Sequence, residues 1–459
     1  MLGKGQGKVH FIGIGGSGMS GIATIMINQG YQVSGSDLNQ NAAVSRLINM
    51  GAGVAWGHDS ANLGQDTDIV VISTAIKANN PELVAAREKG MEIVRRGEML
   101  ARLMVDKKGI AVAGAHGKTT TSSMIALVFE KNGLDPTVVV GGDVLELGGN
   151  AKLGQGEYLV AEADESDGSF LLLSPTIEVI TNIEDDHLDY YGSREAIKEA
   201  FVEFMQKVPD DGSTVVCADD PNIRELTAKS DKKIVTYGIE HPSDYMARNI
   251  RTEGLHTYAD IYYENSLLGH LELNVPGLHN INNAMAAIAV GRIAGLSFAQ
   301  IAGALKDFRG VHRRFELLGN VRGINVVDDY AHHPTEVKAT LRAAKQTKAN
   351  RVIGVFQPHR FTRTKFLYKE FGESFCDADV IVISEIYGAG ETPIEGVTAE
   401  LIVNAIKDNE KKPVHYFKTI EEVTEFLSET AESGDLILTL GAGNIRLAGI
   451  DLVERLKAR

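Results

Sequence analysis

The segment Ile110-Ala-Val-Ala-Gly114-Ala115-His116-Gly117-Lys118-Thr119-Thr120-Thr121 carries more chemistry than any other stretch of this chain. A short apolar run stops at Gly114, a glycine-flanked loop follows, and a helical run extends from Ser122 to Lys131. Strand, loop and helix N-terminus in that order cradle a polyphosphate, because free backbone N–H groups and the helix dipole face the anion. Glycine lets the backbone approach closely. Lys118 is placed to reach the β- and γ-phosphates, and the Thr119 hydroxyl to ligate Mg²⁺. The spacing departs from the general G-x-x-x-x-G-K-[ST] pattern, since only Ala115 and His116 separate the two glycines.

Two acidic stretches follow. Tyr158–Phe170 contains Glu162, Asp164, Glu165 and Asp167, four acids in six residues at a strand end. Carboxylates beside a nucleotide loop are where Mg²⁺ is held, and Glu162, which closes the apolar run, is the expected ligand. Thr181-Asn-Ile-Glu-Asp185-Asp-His187-Leu-Asp189 again follows an apolar run and sets an imidazole among acids. His187 is expected as a second metal ligand. Nearer the N-terminus, Gly13-Ile-Gly15-Gly16-Ser17-Gly18 fits the G-x-G-x-x-G fingerprint, and Asp37 ends the next strand, where an acid meets a ribose hydroxyl. With Met19 and Ser73 these are the expected pyrophosphate-site residues. The motif alone leaves NAD and a UDP-sugar both open.

The elements that must position these residues alternate. Short apolar strands are expected at 9–14, 31–35 and 68–73, with helices at 18–29 and 41–50, a βαβ pattern that implies a parallel sheet. After the polar Val105–Gly109 stretch the pattern restarts, with strands at 110–113, 137–140, 158–162, 177–181 and 214–217. Gly254–Val275 alternates as a hairpin would, and Asn280–Ala294 is Ala-rich and helical. Past a boundary near Phe308–Phe315, strands are expected near 324–328, 351–356, 379–384 and 435–440. The fold class is therefore α/β in three domains, 1–105, 106–312 and 313–459. The first and third are Rossmann-like, and the middle one is a P-loop-type ATPase domain with a mostly parallel sheet.

Composition narrows the function. With 459 residues, 44% of them hydrophobic, and a formal charge of −15, the chain is globular and has no basic run for a nucleic acid. Cys217 and Cys376 lie far apart and show no metal spacing, which suits a reducing cytoplasm. The first eight residues are not followed by an apolar signal segment, and no stretch approaches membrane-spanning length. A cytoplasmic protein acting on small molecules is expected, as monomer or homodimer, without membrane insertion.

Together these pieces resemble the Mur ligases, ATP-dependent amide-forming enzymes of peptidoglycan synthesis. The shortened Gly114–Thr120 loop is similar to that family's ATP loop. So are Gly277-Leu-His279-Asn280-Ile-Asn-Asn283, Asp328-Asp329-Tyr330-Ala-His332-His333-Pro334-Thr335-Glu336 and Phe356-Gln-Pro-His359-Arg360-Phe-Thr-Arg363. His10–Ala23 and Val94-Arg95-Arg96-Gly-Glu98-Met-Leu look like the members that attach L-alanine to UDP-N-acetylmuramate. The resemblance implies a UDP-sugar site in the first domain, an ATP site in the second and an amino-acid site in the third, which closes on the others. Its cofactors would be ATP and Mg²⁺, for which Mn²⁺ would substitute. Asn280, Asn283 and His279 would lie at the adenine, Arg314 at the ATP phosphates, and Asp328 or Asp329 at the ribose. His332, His359, Arg360 and Arg363 would hold carboxylates, with Tyr330 bounding a small side-chain pocket and either His332 or bulk water taking the amine's proton. There are departures. Ala200–Gln206 has no lysine for the carbamylation seen in sister ligases, Ala115 replaces a hydroxyl residue, and Ala331 replaces a glycine. The competing readings are a sister ligase that recycles a whole peptide onto the same sugar, an NAD-dependent oxidoreductase, and a non-catalytic nucleotide binder.

Overall fold

The computed structural model describes residues 7–184, 187–228, 230, 232–409 and 411–459. Its strands form three sheets. The first runs, edge to edge, Gly53–Trp56, Gln32–Asp37, Lys8–Ile12, Ile69–Ile72, Glu92–Arg95. All its pairings are parallel, so every connection crosses over outside the sheet. Winding reverses beside Lys8–Ile12, and the Gly13–Gly18 loop leaves that strand at the switch point, where open α/β sheets take their ligands.

The second sheet has ten strands in the order Ser266–Leu273, His256–Tyr263, Tyr245–Glu253, Ile234–Gly238, Ser213–Cys217, Ile177–Ile180, Lys108–Ala113, Tyr158–Glu162, Thr137–Val144, Gly149–Lys152. Lys108–Ala113 pairs in parallel with Ile177–Ile180 on one side and Tyr158–Glu162 on the other. Parallel pairing brings the C-terminal ends of these three strands to one edge. That is why Gly114, Thr181 and Glu162, far apart in sequence, meet there. The third sheet runs Glu316–Val321, Ile324–Asp329, Asp435–Leu440, Arg351–Phe356, Val380–Ser384, Val414–Phe417, parallel except for its first hairpin. Alternate residues of its strands feed two cores, Val327, Phe356 and Leu438 on one face, Val326, Val355 and Ile437 on the other. A sheet buried on both faces calls for near-continuous apolar runs, as in Val380–Ser384 and the middle of Asp435–Leu440.

The architecture is α/β with three domains, and it packs as two compact units. The first comprises Met1–Arg248, Asp260–Leu271 and Asn282–Phe308, the second Asn249–Ala259, Glu272–Ile281 and Arg309–Arg459. In the first unit the five-stranded domain is fastened to the next. Arg46 makes two bonds to Asp143, at 2.9 and 2.8 Å, and Asn150 Nδ2 donates to Ser17 O at 2.6 Å and Ser20 Oγ at 3.1 Å. The division expected after residue 105 thus falls inside this unit. The hairpin expected across Gly254–Val275 turns at Glu264 and Asn265, both with positive φ, as a tight turn between twisted strands demands. The strands Gly53–Trp56, Glu92–Arg95 and Val414–Phe417 were not expected. They are four residues long, lie at sheet edges and are only partly buried, too short to show a strand period.

Candidate active site

The phosphate loop is held from outside itself. The His116 N–H donates to Asn182 Oδ1 at 2.8 Å, and its carbonyl accepts from Thr181 Oγ1 at 2.6 Å and Asn182 Nδ2 at 2.9 Å. Gly114 has φ +129°, and a Cβ there would stand 2.3 Å from Thr181 Oγ1. Gly117 has φ +84°, and a Cβ would stand 2.7 Å from Asn283 Oδ1. Conformation and space both demand glycine at these two positions. Gly117 caps the helix Lys118–Lys131 without a side-chain bond, so no side-chain cap competes for the first-turn N–H groups around Thr119 and Thr120.

Lys118 Nζ donates to Glu165 Oε1 at 2.7 Å and to the carbonyls of Ala115, at 3.2 Å, and Gly114. Burial opposes its charge, but the Glu165 and Asp164 carboxylates outweigh that and raise its pKa above the lysine norm. Glu165 is itself pushed up by burial, against Lys118. His187 Nε2 lies 3.8 Å from Glu165 Oε1, on a residue of φ +62° that starts the helix Leu188–Tyr191. The other carboxylate oxygen, Oε2, is buried without a hydrogen-bond partner among the described residues. A buried carboxylate oxygen without a partner, on an acid whose other oxygen faces an imidazole and Lys118, fits a hard divalent cation, which Glu165 and His187 would hold together with Thr119 of the first helical turn.

Several expected residues take other partners. Glu162 Oε1 accepts from the Gly141 N–H at 2.7 Å, so Glu165 and not Glu162 is the acid bonded to Lys118. Asn283 Oδ1 accepts from Thr121 Oγ1 at 3.1 Å, beside the phosphate loop. Asp185 and Asp186 lie outside the described residues. Lys198, on the helix Arg194–Gln206, is paired with Glu225 at 2.7 Å, a bond carbamylation would abolish.

The glycine loop of the first domain is braced by its own acid. Asp37 Oδ2 accepts from the Gly15 N–H at 2.8 Å, Oδ1 from the Asn39 N–H at 2.9 Å, and Asn41 Nδ2 donates to Gly15 O at 3.1 Å. Asp37 thus shapes the loop. Gly13 has φ +78° and Gly16 caps the helix Ser17–Asn28 with no side-chain bond. The Met19 side chain is buried, so it offers only backbone. Ser73, Thr74, Arg95, Arg96, Ser169 and Tyr190 line a cavity of about 140 Å³ in the same unit.

In the second unit, Asp328 is buried and accepts from Thr439 Oγ1 at 2.7 Å, Arg446 Nη1 at 3.1 Å and Arg313 Nε at 3.3 Å. Asp329 takes the Phe315 and Ala331 N–H groups, both at 2.8 Å, and burial lifts its pKa to about 6 against Arg314. These bonds shape the chain around Tyr330. The Tyr330 ring lies under the guanidinium groups of Arg313, at 4.9 Å, and Arg314, at 5.5 Å, and meets His332 edge-on at 5.2 Å. Arg314 Nη1 also bonds Glu336 at 3.3 Å. His332 Nδ1 is 2.9 Å from the Tyr330 carbonyl, which sets the proton on Nδ1 and leaves Nε2 as acceptor. Burial lowers the His332 pKa to about 4, with Glu336 opposing. His359 packs edge-on against His332 at 5.8 Å, stacks on Tyr387 and accepts from Arg363 Nη1 at 3.2 Å. Burial also brings it to about 4, helped by His332 and Arg363. Arg360 is exposed at φ +73° at the start of the helix Phe361–Gly372. His279 is lowered to about 4 by burial and Arg314, and Asn280 Nδ2 donates to the Pro276 carbonyl at 2.8 Å.

Tyr330, His332, His359 and Arg363 therefore form one surface of neutral imidazoles with adjacent guanidiniums, suited to an amine that carries a carboxylate. Tyr387, which backs it, has no local signal; parallel pairing of Val380–Ser384 with Arg351–Phe356 brings it there. Glu336 had one, its four-residue spacing from His332 at a helix start.

Three family models match in succession, a Mur ligase family catalytic domain over 8–108, a Mur ligase middle domain over 112–291, and a Mur ligase glutamate ligase domain over 313–443. The chain belongs to the Mur ligase family. Among curated Mur ligases it is 61% identical to a UDP-N-acetylmuramate–L-alanine ligase of Pelotomaculum thermopropionicum, covering 98% of this chain and 97% of that protein. It is 54% identical to one of Desulforamulus reducens, covering 98% of each. Among solved Mur ligases, the UDP-N-acetylmuramate–alanine ligase of Thermotoga maritima superposes with a TM-score of 0.85 at 31% identity, covering 99% of this chain and all of that one. A murein peptide ligase of Psychrobacter arcticus superposes with 0.72 at 26% identity, covering 98% and 99%. No helix among the described residues is long and apolar enough to cross a membrane.

Proposed function

We infer that this chain is an ATP-dependent ligase. It joins L-alanine to the lactyl carboxylate of UDP-N-acetylmuramate and releases ADP and phosphate, a step of peptidoglycan synthesis. The observation that carries this is the near-full-length identity to ligases of that specificity, together with a phosphate loop whose lysine is locked to Glu165.

A lactyl carboxylate oxygen attacks the γ-phosphorus of ATP, ADP leaves, and an acyl phosphate results. The alanine amine then attacks the acyl carbon and phosphate leaves. Carboxylate and triphosphate repel each other, so the first step needs fixed positive charge. Lys118 supplies it with its pKa held up by Glu165, and the N–H groups at Gly117–Thr120 receive phosphate oxygens. Thr119, Glu165 and His187 would hold Mg²⁺, which would supply charge neutralisation at the transferring phosphoryl group. The Gly13–Gly18 loop, braced by Asp37, offers its N–H groups to the UDP pyrophosphate, with Ser73 nearby. In the second unit, Arg363 and the exposed Arg360 receive carboxylate, and Tyr330 limits the side chain. His332 is neutral at physiological pH with an open Nε2, so it accepts the proton the amine loses.

The peptide-recycling ligase shares the ATP chemistry and differs in the amine it takes. An NAD enzyme would leave the Lys118–Glu165–His187 group without a role. One assay tests all of these: ADP release with UDP-N-acetylmuramate and a panel of amino acids and peptides, beside nicotinamide absorbance. L-Alanine is expected to give the fastest turnover. A preference for a peptide would assign the recycling reaction, and nicotinamide turnover without ADP would overturn the ligase reading.

A further inference from the structure

One cation links the glycine loop of the first domain to the lysine site of the second. Arg96 begins the helix Arg96–Met104, immediately after the strand Glu92–Arg95. Its guanidinium lies against Gly18 in the first turn of the helix Ser17–Asn28, where a Cβ would stand 2.9 Å from Nη1 and 3.0 Å from Cδ. Its Nη2 donates to Asp164 Oδ2 at 2.7 Å. Asp164 immediately precedes Glu165, and its charge helps raise the pKa of Lys118. Burial opposes the Asp164 charge, and Arg96 is the main influence holding the carboxyl below its usual range, with Lys118 contributing. Arg96 also lines the cavity that contains Ser73.

We propose that Arg96 is a positioning residue shared by the two sites of the first unit. In the free chain it neutralises Asp164. A pyrophosphate at Gly13–Gly18 draws the guanidinium toward itself, because it carries two negative charges and can receive the guanidinium as a fork, whereas Asp164 carries one and receives Nη2 alone. The charge of Asp164 is then released toward Lys118 and the divalent cation beside Glu165. UDP-sugar binding and cation binding therefore favour each other, and by linkage the factor is the same in both directions. This rests on the assignment of those two sites given above. If Arg96 only fastened the two domains together, loss of either member of the pair would weaken the sugar site alike.

The test is calorimetry of UDP-N-acetylmuramate on the full chain, with and without Mn²⁺, for the wild type, Arg96→Gln and Asp164→Asn. Mn²⁺ is expected to tighten UDP-sugar binding to the wild type by roughly fivefold or more, within the usual range of coupled sites. Arg96→Gln is expected to weaken UDP-sugar about tenfold and bring the Mn²⁺ factor to one. Asp164→Asn frees Arg96, so it should bind UDP-sugar as well as the wild type or better, again with a factor of one. Association of Mn²⁺ with the free sugar nucleotide is common to all three proteins and cancels. An Asp164→Asn protein weakened as much as Arg96→Gln, or a Mn²⁺ factor unchanged in either variant, overturns the proposal and leaves the ligase reading standing. A wild type that binds no UDP-sugar overturns both.

Discussion

Replacing Lys118 by alanine separates what the lysine does for the fold from what it does for phosphate. Its side chain is 18% exposed and its partner Glu165 is 5% exposed. Without the lysine, Glu165 keeps the burial and the neighbouring Asp164 that raise its pKa, and loses the cation that opposes them. Its pKa therefore rises further, and folding takes up a proton over a wider range of pH. The cost is bounded by protonating a carboxyl of ordinary pKa 4.5 at pH 7, about 2.5 pH units at about 1.36 kcal/mol each, roughly 3.4 kcal/mol. The sign follows from an acid whose folded pKa is raised. The unfolded chain is ionised while the folded chain holds the proton, so stability falls as pH rises from 4.5 toward the folded pKa. Urea unfolding midpoints of wild type and Lys118→Ala at pH 5, 6, 7 and 8 measure it, with the gap expected to widen from pH 5 upward. Lys118→Ala/Glu165→Gln should recover the midpoint at pH 8 while phosphate release stays about 10²–10³-fold down. A gap that does not change with pH, or a double variant no more stable than the single one, refutes the pairing. Near-normal phosphate release in either variant refutes the assignment of the loop.

Other outcomes follow from the same geometry. Glu178 is buried on the strand Ile177–Ile180, neither carboxylate oxygen has a partner among the described residues, and burial raises its pKa well above normal. It therefore costs stability above pH 4.5, and Glu178→Gln should raise the thermal midpoint at pH 7–8 with the gain vanishing near pH 4.5. Asp37→Ala removes the charge-assisted bond that braces Gly15 and the one that holds Asn39, so the KM for UDP-N-acetylmuramate should rise at least about tenfold with the KM for ATP unchanged. Tyr330→Ala should widen acceptance toward valine and leucine, measured as ADP release, because a methylene is worth only about 1–3 kcal/mol of discrimination. His332→Ala should instead raise the KM for alanine. The protein's own contribution to that KM should stay level as pH falls to about 5, since His332 and His359 both titrate near 4, and a break near pH 6.5 would contradict their neutral state.

Local pattern in the sequence was enough for the α/β alternation, the phosphate loop and the order of the three domains. A buried parallel strand must be apolar along its length, and a loop that carries phosphate must have glycine where backbone and anion approach. Both constraints act on neighbouring residues and so are visible in a single string. The short edge strands were not visible, because four half-exposed residues are too few to show a strand period. The partners of the acids were beyond local pattern as well. Glu162 and Glu165 lie three residues apart in one acidic stretch and read alike as ligands. The chain turns after the strand Tyr158–Glu162, so Glu162 meets Gly141 and Glu165 meets Lys118. Asp37 ends a strand and Asp328 lies one residue from such an end, where a ribose-binding acid sits, but the Gly15 and Asn39 N–H groups take the oxygens of the first, and Arg313 and Thr439 take those of the second. Lys118 reads as a charge on a loop, and only packing makes it a buried ion pair with a residue 47 positions away. Long-range pairing of parallel strands sets which of several similar side chains face each other, and that choice leaves no mark on the local sequence.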